Sequence, residues 1–364
     1  MFWRPLGVVL IAISLAGAAA CSNDTQPPST ATPAPSPDGG RLTQLTATSQ
    51  PATQPPPAGG IVFSIAGALW RVNTDGSGLR RIVGADNENR PVATAPEFSP
   101  DGRTLAYIEG HRYVVIAGDL GADRLAEIGR IELFDKSPLT PTGASNWDIG
   151  PFAVHWSPDG ALLLVTRRRI SGSGYTDVML MKPGGTEQRT FLSAEQLASS
   201  FPEATWSASH APDPRPPSIA VVSGANGTTG KAYDLQGNRL PAVYPAQTTR
   251  IAVATHQNPG GEGVLVTSSA GSPEPFGPIE VYDITGASSI VGGGCGATWS
   301  PDGEWLSYYD GSGVAVQRIG ASPDDHVYAA RNAGVGLDAS RQPADACNGV
   351  AITWRRDPFI DAPN

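Results

Sequence analysis

A five-residue repeat places the strongest constraint on how this chain folds. An aromatic residue followed by Ser-Pro-Asp-Gly occurs at 98–102, 156–160 and 299–303, and each copy precedes a short apolar run. Proline suits the second position of a tight turn, aspartate bonds back to nearby backbone, and glycine adopts the left-handed conformation without strain. Each copy therefore predicts a turn between two antiparallel strands.

Weaker copies of the repeat occupy the gaps between these three. With them, the anchor positions are Phe98, Trp156, Trp206, His256, Trp299 and Trp354, separated by 58, 50, 50, 43 and 55 residues. This period, with four short strand signals in most units, is typical of a four-stranded propeller blade. We predict an all-β protein, a six-bladed β-propeller with four-stranded antiparallel blades.

The first strand-forming segment has no anchor of its own. Strand signals at 61–64, 69–72 and 80–83 supply three strands of a blade, and the strand around Trp354 supplies the fourth. We therefore predict that N- and C-terminal strands share one blade and close the ring, which hides edges that would otherwise invite aggregation. The propeller is expected over 61–358, followed by a C-terminal tail at 359–364.

The first 60 residues differ in composition from the rest. Residues 1–20 combine Arg4, an apolar run too short to span a bilayer and a small-residue cleavage zone, which predicts a signal peptide. Cys21 follows, and we expect it to be lipidated, with soluble export as the alternative. From 21 to 60 proline and threonine dominate and aromatics are absent, which predicts a disordered tether. The protein is thus expected to be exported and lipid-anchored at the cell membrane, facing the periplasm or the cell exterior.

Composition and local motifs exclude several kinds of chemistry. Charged residues make up 16 % of the chain and the formal net charge is -9, which argues against nucleic acid as a partner. With 43 glycines and 34 prolines, long helices are not expected. No metal-ligand spacing, nucleophile elbow or phosphate loop occurs, so we predict no metal and no cofactor.

The Trp-Ser-Pro-Asp-Gly hairpins, followed by Leu-Ala-Tyr-like strands, resemble the WD40-like repeats of TolB-type six-bladed propellers. The resemblance covers about 61–358 and, taken with Cys21, is to a TolB-like propeller lipoprotein. It implies the architecture and a scaffold role. Pairing with Tol-Pal partners is not implied, because the tether stands where TolB has an α/β domain. Peptidases of the prolyl oligopeptidase class also carry propellers, but we expect no hydrolase domain here.

Two further features have alternative interpretations. Cys295 and Cys347 precede strands of neighbouring blades, and an even pair in an exported protein favours a disulfide over free thiols. The run 167–169 is three arginines. These three arginines are interpreted either as the solvated end of a strand or as a surface patch that binds an anionic partner.

Binding residues are expected in the segments that lead into the first strand of each unit, because loops on a rigid scaffold often carry function. The longest of these, 84–97, 138–152 and 332–350, should converge at one mouth of the channel. Candidate binding residues there and on the adjoining strands are Asp86, Glu88, Arg90, Glu97, Trp147, Asp148, His155 and Arg341. Trp147 lies outside the anchors and is either a contact hot spot or a cap on its blade.

Two functions are compatible with these residues. We prefer a monomeric, non-catalytic scaffold that engages a protein, peptide or envelope polymer at the channel mouth, with the membrane contacted through the lipid alone. The alternative is a metal-dependent lyase or hydrolase with its site in the pore, for which Glu97, His155 and Asp148 are the only sketch of a ligand set.

Overall fold

The computed structural model of the chain consists mostly of β-strands and the turns between them. It describes residues 55–84, 92–118, 125–135, 149–169, 176–193, 196, 203–207, 218–223, 229–240, 252–257, 265–269, 278–282, 288–322, 325–331 and 350–359, all within the compact unit Leu45–Asn364. Its strands in chain order are β1 Gly60–Ile65, β2 Ala68–Asn73, β3 Arg80–Val83, β4 Ala93–Phe98, β5 Leu105–Glu109, β6 Tyr113–Gly118, β7 Ala126–Glu132, β8 Ile149–Trp156, β9 Leu163–Arg169, β10 Thr176–Met181, β11 Arg189–Leu192, β12 Glu203–Ser207, β13 Ser218–Ser223, β14 Thr229–Tyr233, β15 Arg239–Leu240, β16 Ala252–Gln257, β17 Leu265–Ser269, β18 Pro278–Tyr282, β19 Ser288–Gly293, β20 Cys295–Trp299, β21 Trp305–Tyr309, β22 Gly313–Arg318, β23 His326–Arg331 and β24 Ala351–Arg355. No helix among these residues is long and apolar enough to cross a membrane.

The strands form six antiparallel sheets of four strands each. Sheets 2 to 6 are consecutive in sequence, namely β4–β7, β8–β11, β12–β15, β16–β19 and β20–β23. Sheet 1 has the order β24-β1-β2-β3, because β24 pairs with β1 from Gly60 opposite Arg355 to Ser64 opposite Ala351. We call the edge strand that carries the anchor position, β24, β4, β8, β12, β16 or β20, the lead strand of its sheet. The prediction of four-stranded antiparallel sheets is confirmed.

The Ser-Pro-Asp-Gly repeat forms the turn between a lead strand and its neighbour. In the second copy the Ser157 hydroxyl donates to Asp159 Oδ1 at 2.6 Å and accepts from the backbone N–H of Leu162 at 2.8 Å. Asp159 Oδ1 also accepts from the N–H of Ala161, and Gly160 has a φ of 72°. The turn therefore depends on the serine as much as on the proline, aspartate and glycine that the sequence pattern emphasised.

The apolar core lies between neighbouring sheets. Each of five buried clusters among the described residues combines side chains from two sheets; one of them packs Ile61, Phe63 and Trp354 of sheet 1 against Trp305 and Val316 of sheet 6. Strands between two such layers, such as β1 and β21, are buried along their whole length, whereas the outer strand β7 is mostly exposed. Packing on both faces explains why the inner strands are continuous apolar runs.

The ends of the described fold meet in sheet 1. The N–H of Phe359 donates to Asn73 Oδ1 at 2.7 Å, Asn73 Nδ2 donates to the Phe359 carbonyl at 3.2 Å, and the Phe359 ring is buried. A Cβ on Gly60 would lie 2.8 Å from this ring, so the first strand starts with the residue type that leaves room for it. The sheet and its contacts thus extend slightly beyond 61–358. The predicted signal peptide, Cys21 and all but 55–60 of the tether lie outside the described residues.

Candidate functional site

The structure describes two of the eight predicted binding residues, Glu97 on β4 and His155 on β8. The other six, Asp86, Glu88, Arg90, Trp147, Asp148 and Arg341, lie outside the described residues, as do Cys21 and Cys347. Cys295 is buried at the start of β20. Its disulfide with Cys347 stays a prediction.

Glu97 and His155, which are far apart in sequence, meet between sheets 2 and 3. Glu97 Oε2 lies 3.1 Å from His155 Nδ1, and the histidine is 6 % exposed. The indole N–H of Trp156 donates to the Glu97 carbonyl at 3.2 Å, so the anchor next to His155 holds the same pair of strands together. The contact therefore ties two lead strands to each other.

A polar residue precedes the anchor in every lead strand. These residues are Glu97, His155, Thr205, Thr255, Thr298 and Thr353. The Trp206 indole N–H donates to the His155 carbonyl at 3.2 Å, and the Phe98 N–H donates to Thr353 Oγ1 at 3.1 Å. In each case the anchor residue donates to the lead strand of the preceding sheet. Sequence reasoning found the anchors but missed this partner position, although its polar character was visible in all six units.

Several lead strands carry a β-bulge before this polar position. The pairing register shifts between Thr94 and Glu97 in β4, between Pro151 and Ala153 in β8, and between Cys295 and Thr298 in β20. A bulge re-aims one side chain out of the regular alternation and is common beside functional sites. In β8 the extra residue is Phe152, which is 39 % exposed.

Phe152 belongs to a surface formed by residues of sheets 2 and 3. We define the lead-in surface as Val92, His111, Phe152 and Arg168. The Val92 carbonyl accepts from the N–H of Gly110, in the turn that carries His111, and the His111 ring hydrogen-bonds to the backbone of Pro151, next to Phe152. The guanidinium of Arg168 lies 3.6 Å from the centroid of the Phe152 ring. Hydrogen bonds to the backbone and one cation–π contact thus connect the four residues across sheets 2 and 3.

The electrostatics of the lead-in surface are dominated by Arg168. Burial, and then the nearby charge of Arg168, lower the pKa of His111, so this histidine is neutral at pH 7. His111 also has a φ of 53°, an uncommon value for a residue with a side chain, and such local strain is concentrated at functional sites. The surface therefore carries one positive charge beside exposed apolar groups.

The arginine run does not act as a unit. Arg167 is buried, its Nε donates to Asp177 Oδ1 at 2.8 Å, and its Nη1 donates to Asp135. Arg168 is exposed and stacked on Phe152. Neither interpretation of the whole run is right, because alternate residues of a strand face opposite sides of the sheet.

A cavity lies between β3 and β5–β7. It has a volume of about 390 Å³ and is lined by Arg81, Tyr107, Glu109, Glu127, Arg130 and several apolar residues. Arg130 forms ion pairs with both Glu109 and Glu127. Burial, and then Glu109, raise the pKa of Tyr107 to about 12, so it is protonated at neutral pH. The internal pairing of these charges leaves the cavity a weaker candidate than the lead-in surface.

Glu97 and His155 supply two of the three side chains that a protein metal site needs. Among the residues that the structure describes, no group of three or more His, Cys, Asp or Glu side chains is placed to hold a metal ion. Asp148, the third member of the predicted set, is outside them.

Comparisons with known proteins give only distant or partial likeness. No protein-family model matches the chain. The curated "Probable dipeptidyl-peptidase 5" of Arthroderma benhamiae is 32 % identical over 111 residues, and "Dipeptidyl-peptidase 5" of Trichophyton equinum is 31 % identical over 111 residues. Each match covers 27 % of this chain and 13 % of the peptidase, so the chain spans a small part of these relatives.

Solved structures with a similar course of the chain include a putative TolB from Agrobacterium tumefaciens and an oligogalacturonate lyase in complex with manganese. The first has a TM-score of 0.45 and 14 % identity, over 82 % of this chain and 98 % of that one. The second has a TM-score of 0.44 and 11 % identity, over 73 % of this chain and 71 % of that one. At this distance neither likeness indicates a function.

Proposed function

We propose that the chain is a six-bladed β-propeller whose ring closes through β1 and β24. The proposal is supported by contacts that link the lead strands in a cycle, from β4 to β8, β12, β16, β20, β24 and back to β4. It is also supported by the anchor bonds, which run from one lead strand to that of the preceding sheet. Strands meeting in this order enclose a central axis, as propeller blades do.

We further propose that this propeller is a non-catalytic binding scaffold, exported and held at the membrane by lipid on Cys21. It acts as a monomer and engages a protein, peptide or envelope polymer at the channel mouth. The observation that carries the proposal is the Arg168–Phe152 stack, which a β-bulge presents at the lead-in surface. Exposed aromatic and arginine side chains on a rigid support are the groups that dominate binding energy at protein interfaces.

Site-specific photocrosslinking in the cells that make the protein tests this function. A photoreactive amino acid replaces Val92 on the lead-in surface or, as a control, Val327 on the outer strand β23; both valines are 45 % exposed. We expect a discrete crosslinked species from position 92 and none of that size from position 327. Identical products from both positions, or no product from position 92, would refute a binding site at this surface.

The alternative, a metal-dependent lyase or hydrolase in the pore, draws support from one contact, Glu97 with His155. The residues present would supply a carboxylate and an imidazole, ligands suited to several divalent metals. Elemental analysis of the purified chain beside the Glu97→Gln and His155→Asn variants distinguishes the two functions. A stoichiometric metal that both variants lose would favour the enzyme, whereas metal-free protein that retains the crosslink at position 92 would favour the scaffold.

A further inference from the structure

We propose that Arg168 and Phe152 form a carboxylate subsite, which receives an acidic side chain of an extended peptide segment of the partner. This inference rests on the proposed scaffold function and adds the chemistry of what is bound. It starts from the arginine run 167–169, in which Arg167 is buried and Arg168 is exposed.

The bulge in β8 and the stack on Phe152 together preorganise the arginine. Phe152 is left out of the regular pairing and is 39 % exposed, and the Arg168 guanidinium lies over its ring, 3.6 Å from the centroid. Arg168 lies on the neighbouring strand β9, opposite Gly150. A guanidinium held flat on an aromatic ring keeps its edge free for hydrogen bonds, and that edge matches both oxygens of a carboxylate.

Three other arginines of sheets 2 and 3 form ion pairs within the protein. Arg112 pairs with Glu132, Arg130 pairs with Glu109 and Glu127, and Arg167 pairs with Asp135 and Asp177. Among the described residues no carboxylate forms an ion pair with Arg168. Arg168 is thus an exposed cation in a chain with a net charge of -9. Charge complementarity therefore favours an anionic group from another molecule.

The surroundings of Arg168 favour a peptide as the source of that group. Val92 and Phe152 expose apolar surface on the same lead-in surface, and neutral His111 adds an aromatic ring without a second charge. The single positive charge of Arg168, flanked by apolar side chains, is complementary to a peptide in which an acidic residue stands beside an apolar one. A phosphate or a lipid headgroup, with its higher charge, is better matched by several cations together.

Titration of the full chain with short peptides tests the proposal. The probe is a capped pentapeptide with adjacent Phe and Glu residues, and the comparison peptide has Gln in place of Glu. We expect the Glu peptide to bind at least about tenfold more tightly, because a charge-assisted bidentate bond is lost with Gln. The ring protons of His111 should shift in NMR spectra as the Glu peptide is added.

Variants and other anions make the test specific. Arg168→Gln should abolish the preference for the Glu peptide, and Phe152→Leu should reduce it, whereas Arg112→Gln, a change at an exposed and already paired arginine, should leave it intact. Thermal melting of each variant checks that the fold is retained. Equal binding of the two peptides, an unchanged preference in Arg168→Gln, or tighter binding of inorganic phosphate or of phosphatidylglycerol vesicles would overturn the proposal.

The outcomes separate this inference from the scaffold function. If position 92 crosslinks a partner and Arg168→Gln leaves that product unchanged, the scaffold function stands and the carboxylate subsite is wrong. If position 92 yields no product in cells, the scaffold function fails, whatever the peptides do.

Discussion

At the scale of single residues, burial separates one arginine ion pair from another. Arg167 is nearly enclosed and neutralises Asp177, whose side chain is 19 % exposed, while Arg112 forms an ion pair with Glu132 in which both side chains are about half exposed. We predict that Arg167→Met lowers the free energy of unfolding by about 3 kcal/mol, because Asp177 is left without its cation. The matched change Arg112→Met should cost less than about 1 kcal/mol.

Urea denaturation followed by tryptophan fluorescence measures both variants of this pair. If both variants lose a similar free energy of unfolding, the burial of the Arg167 ion pair does not make it more stabilising than the exposed Arg112 pair. That Arg167 is buried while Arg168 is exposed was not predictable from the sequence, where the three arginines of the run look alike.

At the scale of elements, the Ser-Pro-Asp-Gly turn is a small hydrogen-bonded unit. The Ser157 hydroxyl, and then the backbone N–H of Ala161, lower the pKa of Asp159. A carboxyl whose folded pKa lies below its unfolded value stabilises the fold above the unfolded value, about 3.9, and this contribution is lost as the pH falls through the folded pKa. We predict that Asp159→Ala costs about 1–2 kcal/mol at pH 7 and less at about pH 3.

A double-mutant cycle with Ser157→Ala tests whether serine and aspartate act together. The hydroxyl links the carboxylate to the N–H of Leu162, so the two changes should be less than additive. Strictly additive losses, or a loss in Asp159→Ala that does not change between pH 7 and acid, would contradict this account. The position and type of these turns were predictable from the sequence, because every interaction in them is local.

At the scale of the whole molecule, the C-terminal strand completes the first sheet. β24 pairs with β1, places Trp354 in the cluster between sheets 1 and 6, and is followed by the Phe359 contact with Asn73. We predict that deleting 350–364 abolishes cooperative thermal unfolding, because sheet 1 loses a strand and exposes apolar surface on two neighbours. Deleting only 360–364 should leave the melting temperature within a few degrees of the full chain.

Circular dichroism and size-exclusion chromatography follow both truncations. A chain without β24 that stays monomeric and melts at the temperature of the full protein would exclude a role for terminal strand pairing in stability. The pairing was predictable from the sequence. The three N-terminal strand signals made an incomplete sheet without an anchor residue, and the anchor Trp354 at the other end of the chain had no sheet of its own.

The sequence by itself determined the strands, their turns and their grouping in fours. These features depend on the alternation of residues along each strand and on turn residues that lie within each repeat unit. The sequence located the anchors but not the starts of the lead strands, because the predicted segments 84–97 and 138–152 include the first residues of β4 and β8. Only the tertiary structure brought Glu97 to His155, bonded Phe98, Trp156 and Trp206 to the lead strand of the preceding sheet, and divided Arg167 and Arg168 between core and surface. These features depend on the register between sheets and on a bulge that moves Phe152 out of alternation. Contacts between distant segments are set by the packing of whole sheets, and no local pattern in the chain records them.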